Sequence, residues 1–187
     1  MKKKAQFAFP SEIYAEDIRA ARKALHMSQT GFADFLGVSV KTVSKWEQGN
    51  NPVRGPVVPL LSILFADRQI PEKYEIPEQK YPVRLFYMYM NQCCTIIDVN
   101  ESERIVKIKN YTPYPMYRAF GTIDSPTFEE YETFLESRCF PRERDKMKLQ
   151  LEEIGLPFYD PFMIIEKTEG RMAEDHFWIR IVRKHHD

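Results

Sequence analysis

The sequence predicts two domains, an all-α unit of four to five helices over residues 1–68 and a small α+β unit over residues 83–187, with a linker at 69–82. Three observations carry that expectation. The stretch "ADRQIPEKYEIPEQKYP" at 66–82 holds three prolines and several charges but no apolar period, as a linker does. Every segment before it places apolar residues at helical spacing, and the segments after it mix β-rich runs with capped helical runs. At 187 residues and 43% apolar content, the chain can bury either one large core or two small ones.

Taken in order, "AEDIRAARKALH" sets Ile18, Ala21, Arg22 and Leu25 along one helical face, and "QTGFADFL" sets Phe32, Phe35 and Leu36 along another. Ser28 and Ser39 stand where N-caps stand, each able to accept a hydrogen bond from an orphan backbone N–H. Gly37 supplies the turn between the two middle helices, and "VVPLLSILF" is a fourth apolar stretch. Beyond the linker, "RLFYMYMNQCC" is too apolar for a loop. "CTIIDVN" and "RIVKIKNY" form a hairpin candidate about "ESE". "SPTFEEYETFLESRC" reads as a helix with a Ser cap and Pro at its first position. "RERDKMKLQLEEIGLP" ends at a glycine and a proline, "DPFMIIEKTEG" runs from Asp-Pro to Gly, and "HFWIRIV" closes as a strand.

Charge is uneven under a formal total of zero. Residues 1–69 hold ten Lys or Arg against six acids, so the first third is the better candidate for binding a polyanion. Cys93, Cys94 and Cys139 lack CxxC or His-rich spacing, which argues for reduced, structural thiols and against a disulfide framework or zinc site. No run approaches 18 apolar residues and "MKKKAQFAFPSEIYAED" has no apolar signal core, so the expected location is the cytoplasm, with no membrane partner.

The segment "IRAARKAL…SQTGFADFLGVSVKTVSKWEQGNNPVRGP…LL" resembles the helix-turn-helix of the Cro and phage-repressor (XRE) family, and in particular its antitoxin-like members, over residues 18–64. The resemblance implies a DNA-binding transcriptional regulator, an autoregulating repressor acting as a homodimer on double-stranded operator DNA. It implies base contacts from Val40, Lys41, Ser44 and Lys45, phosphate contacts from Gln29, Thr42 and Arg54, and a buried ion pair between Arg22 and Glu47. The "MKKK" start is a candidate DNA-contacting arm or a solvated terminus. Packing of Phe32, Leu36, Val38, Val43 and Trp46 against Ile18, Leu25 and Leu61 would hold the two helices at one angle.

The second half carries no catalytic constellation. Glu166 and Lys167 lack nuclease spacing, Asp160, Glu169, Asp175 and His176 lack metal-ligand spacing, and Cys139 with His176 is a weaker reading than a structural cysteine. The expectation is therefore no enzyme, no cofactor and no metal. Arg138, Arg142, Arg144 and Lys146 cluster near a helix start as a candidate anion or partner site, with an ion-paired face as the alternative. Tyr87, Tyr89, Phe140, Phe158 and Tyr159 are candidate interface anchors. "ESRCFPRERDKMK…GLPFYDPFMIIEKTEGRMAEDHFWIRI" is similar to small uncharacterised bacterial proteins associated with persistence-type kinase toxins. These features imply a partner protein from an adjacent gene, or alternatively a DNA-addressed ligand sensor or enzyme.

Overall fold

The computed structural model describes residues 6–143 and 147–184. The chain divides into two compact units, residues 1–76 and 77–187.

The first unit is helical. Helix α1 spans Ala15–Ala24, α2 Gln29–Leu36, α3 Val40–Gln48, α4 Val57–Ala66 and α5 Ile70–Tyr74. Local chemistry sets the boundaries. Ser28 Oγ accepts from the Gly31 amide and Ser39 Oγ from the Thr42 amide, both at 3.1 Å, so each helix starts where a side chain satisfies an otherwise unpaired N–H. Gly37 ends α2 with φ 67°, a left-handed conformation that costs glycine nothing. Ile18, Phe32, Val43 and Leu61 form the core, with Leu25, Leu36, Val38 and Trp46 packed around it. Helix α5 falls inside the stretch expected to be a linker. Pro71 presets the helical φ, Asp67 accepts from Gln69 N and Lys73 Nζ, and Ile70 packs on the core, which together order a segment lacking an apolar period.

The second unit is a four-stranded antiparallel sheet with helices on one face. Its strands are β1 Val83–Tyr89, β2 Gln92–Asn100, β3 Ile105–Asn110 and β4 Phe177–Arg183, in the order β3-β2-β1-β4. β2 and β3 form the hairpin about Glu101–Arg104, with Asn100 opposite Ile105. The apolar run at 83–89 is β1, one of the two inner strands, paired with β2 on one side and β4 on the other. Leu85, Tyr87, Ile97, Val99 and Ile179 pack against Tyr131, Phe134 and Leu135 of α6 (Phe128–Ser137), Leu151 of α7 (Met147–Glu153), and Ile164 and Ile165 of α8 (Pro161–Thr168).

The cap of α6 is Thr127, not the serine two residues earlier. Thr127 Oγ1 accepts from Glu130 N at 3.2 Å while Glu130 accepts from Thr127 N at 2.7 Å, a reciprocal pair that Ser125 has no acid three residues on to form. Of the aromatic anchor candidates, Tyr87 is buried and Tyr89, Phe140 and Tyr159 pack on the core, leaving Phe158 exposed.

Arg138 is likewise no part of an open basic face. It is 7% exposed and donates to the Gly170 and Phe177 carbonyls and to both oxygens of Asp175, tying the end of α6 to the start of β4. Arg142 is exposed, pairs with Glu136 at 2.7 Å and lies over the Tyr159 ring. Arg144 and Lys146, like the "MKKK" start, lie outside the described residues.

On the sheet face away from the helices, Arg84 donates from Nε and Nη2 to the two oxygens of Asp98 at 2.6 and 2.7 Å, and from Nη1 to the Pro77 carbonyl. Both residues are buried. Asp98→Ala strands the guanidinium and is expected to cost about 3–5 kcal/mol in urea unfolding, whereas Arg84→Met with Asp98→Leu recovers most of that loss. Equal stabilities for the two variants would show that the pair is not what holds this face together.

Candidate nucleic-acid interface

Helix α3 has two sides. Val43 and Glu47 are buried and Trp46 packs inward, whereas Val40, Lys41, Ser44 and Lys45 lie together at i, i+1, i+4 and i+5. Val40 is 39% exposed, Lys41 and Lys45 are exposed, and Ser44 is half-buried. Neither lysine makes an ion pair among the described residues, so both ammonium groups are available to an acceptor outside the chain. The face therefore offers an apolar contact, a hydroxyl and two cations along one short helix, a set suited to base edges and phosphates.

Behind that face, one carboxylate joins three helices. Arg22 of α1 donates from Nε to Glu47 Oε1 at 2.6 Å and from Nη2 to Oε2 at 3.1 Å. Gln29 of α2 donates to Oε2 at 2.7 Å, and Arg19 of α1 donates to the Glu47 backbone carbonyl at 2.7 Å. Arg22 Nη1 also reaches the Met27 carbonyl at 2.9 Å, fixing the α1–α2 turn. The Arg22 hydrogen bond, against the opposing effect of burial and with help from Gln29, holds the Glu47 carboxyl below the ordinary carboxylate range. Arg19 was not among the residues expected here. Its spacing of three from Arg22 is the sequence signal, because it places both guanidinium groups on one side of α1.

The candidate phosphate contacts are placed as follows. Gln29 is at the first turn of α2 with its amide on Glu47. Thr42 Oγ1 lies 2.8 Å from Ser39 Oγ at the start of α3. Arg54, its side chain 73% exposed, donates to Glu12 at 2.6–2.8 Å. A pair with its guanidinium this exposed contributes little to stability. The loop carrying Arg54 is anchored by a two-way backbone bridge between Ile13 and Val53.

Residues 18–64 match the helix-turn-helix family model. The match supports the XRE-type family for this segment and reading the chain as a DNA-binding transcription regulator. Neither the comparison with curated proteins nor that with solved structures gives a match. Among the described residues no helix is long and apolar enough to cross a membrane. In the helix-turn-helix, α2 and α3 are the paired helices and Gly37 the turn between them. Gly49 closes α3 where an added Cβ would stand 2.9 Å from the Lys45 carbonyl oxygen, so a side chain there forces the end of α3 to shift.

Removing the Glu47 carboxylate strands Arg22, and Glu47→Ala is expected to cost about 3–5 kcal/mol in a thermal melt without DNA. The pH dependence has a definite sign. Because the folded-state pKa is lowered, the carboxylate's stabilisation is complete above its unfolded-state value of about 4.3 and is lost as pH falls through the folded-state value. The stability gap between wild type and Glu47→Gln should therefore narrow as pH drops below about 4. A gap independent of pH would show that the ionised carboxylate is not the stabilising species.

Proposed function

We propose that the chain is a sequence-specific, autoregulating repressor that reads its operator with Val40, Lys41, Ser44 and Lys45 and positions itself on phosphates with Gln29, Thr42 and Arg54. The observation that carries this reading is the unpaired, exposed lysine face of α3 set on a framework that allows it one orientation. In the major groove, lysine donates to guanine O6 and N7, and Val40 meets a thymine methyl. A single recognition helix covers few base pairs, so the working form is a homodimer on two half-sites about 34–36 Å apart. Ile63 and Phe65 of α4 are 46% and 80% exposed, and a second copy seated there would withdraw apolar surface from water. The setting is the cytoplasm. Within this reading, one subclass is the antitoxin of a toxin–antitoxin operon, with residues 83–187 holding a partner encoded by an adjacent gene.

The same reading gives the chain no reaction to catalyse. Cys139, the best nucleophile candidate, is buried, donates to the Leu135 carbonyl, and has its thiol pushed up to about 12 by burial, the opposite of activation.

A second reading, a DNA-addressed ligand sensor or enzyme, requires a concave site with converging polar groups in the second unit. A cleft of about 420 Å³ lined by Glu101, Tyr131 and Asp160 supports the sensor form of it.

Footprinting on the DNA upstream of the chain's own gene tests the repressor reading and should give two protected half-sites one helical turn apart. Lys41→Ala and Lys45→Ala should each weaken operator binding by about 1–3 kcal/mol more than they weaken binding to random DNA. An equal loss on both DNAs would make these lysines phosphate contacts, and no loss on either would remove α3 as the recognition helix.

A further inference from the structure

The guanidinium of Arg54 is already taken. Ile13 and Val53 form an antiparallel backbone bridge, and that register sets Glu12, the residue before Ile13, directly across from Arg54, the residue after Val53. Arg54 reaches one oxygen of the carboxylate, Glu12 Oε2, from Nε at 2.8 Å and from Nη2 at 2.6 Å. The Tyr14 hydroxyl donates to the other, Oε1, at 2.9 Å. The Arg54 hydrogen bond, followed by that of Tyr14, holds the Glu12 carboxyl below the ordinary carboxylate range, so it is charged at neutral pH.

Stability does not account for the arrangement, because the Arg54 side chain is too exposed for the pair to add much. Its consequence is for anions from outside the chain. A guanidinium fork binds carboxylate and phosphate oxygens with the same geometry, so Glu12 stands on Arg54 where a DNA phosphate would. The backbone bridge keeps it there, since Glu12 cannot swing far while Ile13 is bonded to Val53. A phosphate that arrives at Arg54 has either to displace the carboxylate or to lie beside its negative charge.

We propose that Glu12 is a built-in competitor of DNA phosphate for Arg54, and that it thereby sets how strongly the chain holds duplex DNA of any sequence. The inference rests on the reading of Arg54 as a phosphate contact. Arg54 and Glu12 are neutral as a pair and displace no net counterion from DNA, whereas an unopposed Arg54 displaces one, which adds about 0.9 to the slope of log K against log salt. Operator and random sequence are affected alike, because phosphate contacts carry no sequence information.

Fluorescence anisotropy of the full chain on a random-sequence DNA duplex, titrated across salt from about 0.05 to 1 M, tests it. Glu12→Gln keeps the shape and a hydrogen-bond acceptor but not the charge. It should bind about eightfold more tightly at about 0.1 M salt, with a slope steeper by about 0.9 and the advantage gone at about 1 M. The gain should require Arg54: on an Arg54→Ala background, Glu12→Gln should gain at most about twofold, the residue of a screened repulsion. Unchanged or weaker binding by Glu12→Gln, or the full gain on the Arg54→Ala background, would overturn the inference and leave DNA binding standing. Failure of the wild type to bind the duplex even at about 0.05 M salt would instead remove the DNA-binding reading, and the inference with it.

Discussion

The first unit depends on one carboxylate. Glu47 is the last buried residue of α3, and the groups bonded to it come from both helices packed behind the Lys41–Lys45 face: Arg19 and Arg22 from α1 and Gln29 from α2. Apolar packing in a core this small is non-directional and tolerates slippage of short helices. A bidentate guanidinium–carboxylate pair does not, because its two parallel bonds fail together when either helix rotates. The net stability from such a pair is offset by desolvation, so its main contribution here is to geometry. On the repressor reading proposed above, α3 needs that geometry, since its side chains would have to meet base edges at fixed positions.

The second unit uses the same device twice on opposite sides of its sheet. Arg84 and Asp98 clamp β1 to β2 on the face away from the helices, and Arg138 gathers the Gly170 and Phe177 carbonyls with Asp175. Glycine suits position 170, as φ is 59° and an added Cβ would be strained there and press on Arg138 Cβ and Ile179 Cδ1 at 3.3 Å. Against that background of satisfied buried groups, only the Tyr131 hydroxyl and Gln150 Oε1 are left without partners among the described residues. Such exceptions are informative because the rest of the fold avoids them.

Legibility in the sequence followed the range of the interactions. Ser28, Ser39 and Gly37 act within a turn of their own position, so their chemistry can be read locally. Pro126 makes Ser125 attractive as the α6 cap, although the Thr127–Glu130 pair begins only two residues on. β1 shows no period-two alternation, since Leu85 is buried on the helix-covered face and Phe86, on the opposite face, is buried with the Arg180 guanidinium over its ring at 4.2 Å, and without alternation a strand cannot be told from a helix segment. Arg138 read as a surface cation because its partners lie 32 to 39 residues away. Glu101, Tyr131 and Asp160 come from a turn and two helices, and no spacing in the chain announces that they meet.

The bridge between Ile13 and Val53 has a consequence for how the first unit opens. Ile13 N donates to Val53 O at 3.0 Å and Val53 N returns to Ile13 O at 2.8 Å, joining the segment before α1 to the loop after α3. Terminal segments ordinarily fray and exchange their amide hydrogens fast. Here the Ile13 amide, on a side chain only 6% exposed, can exchange only when the loop bearing Arg54 lifts away. Its deuterium uptake thus reports on the mobility of the Arg54 loop some forty residues downstream in the chain, and a ligand that stills the loop will slow exchange at Ile13.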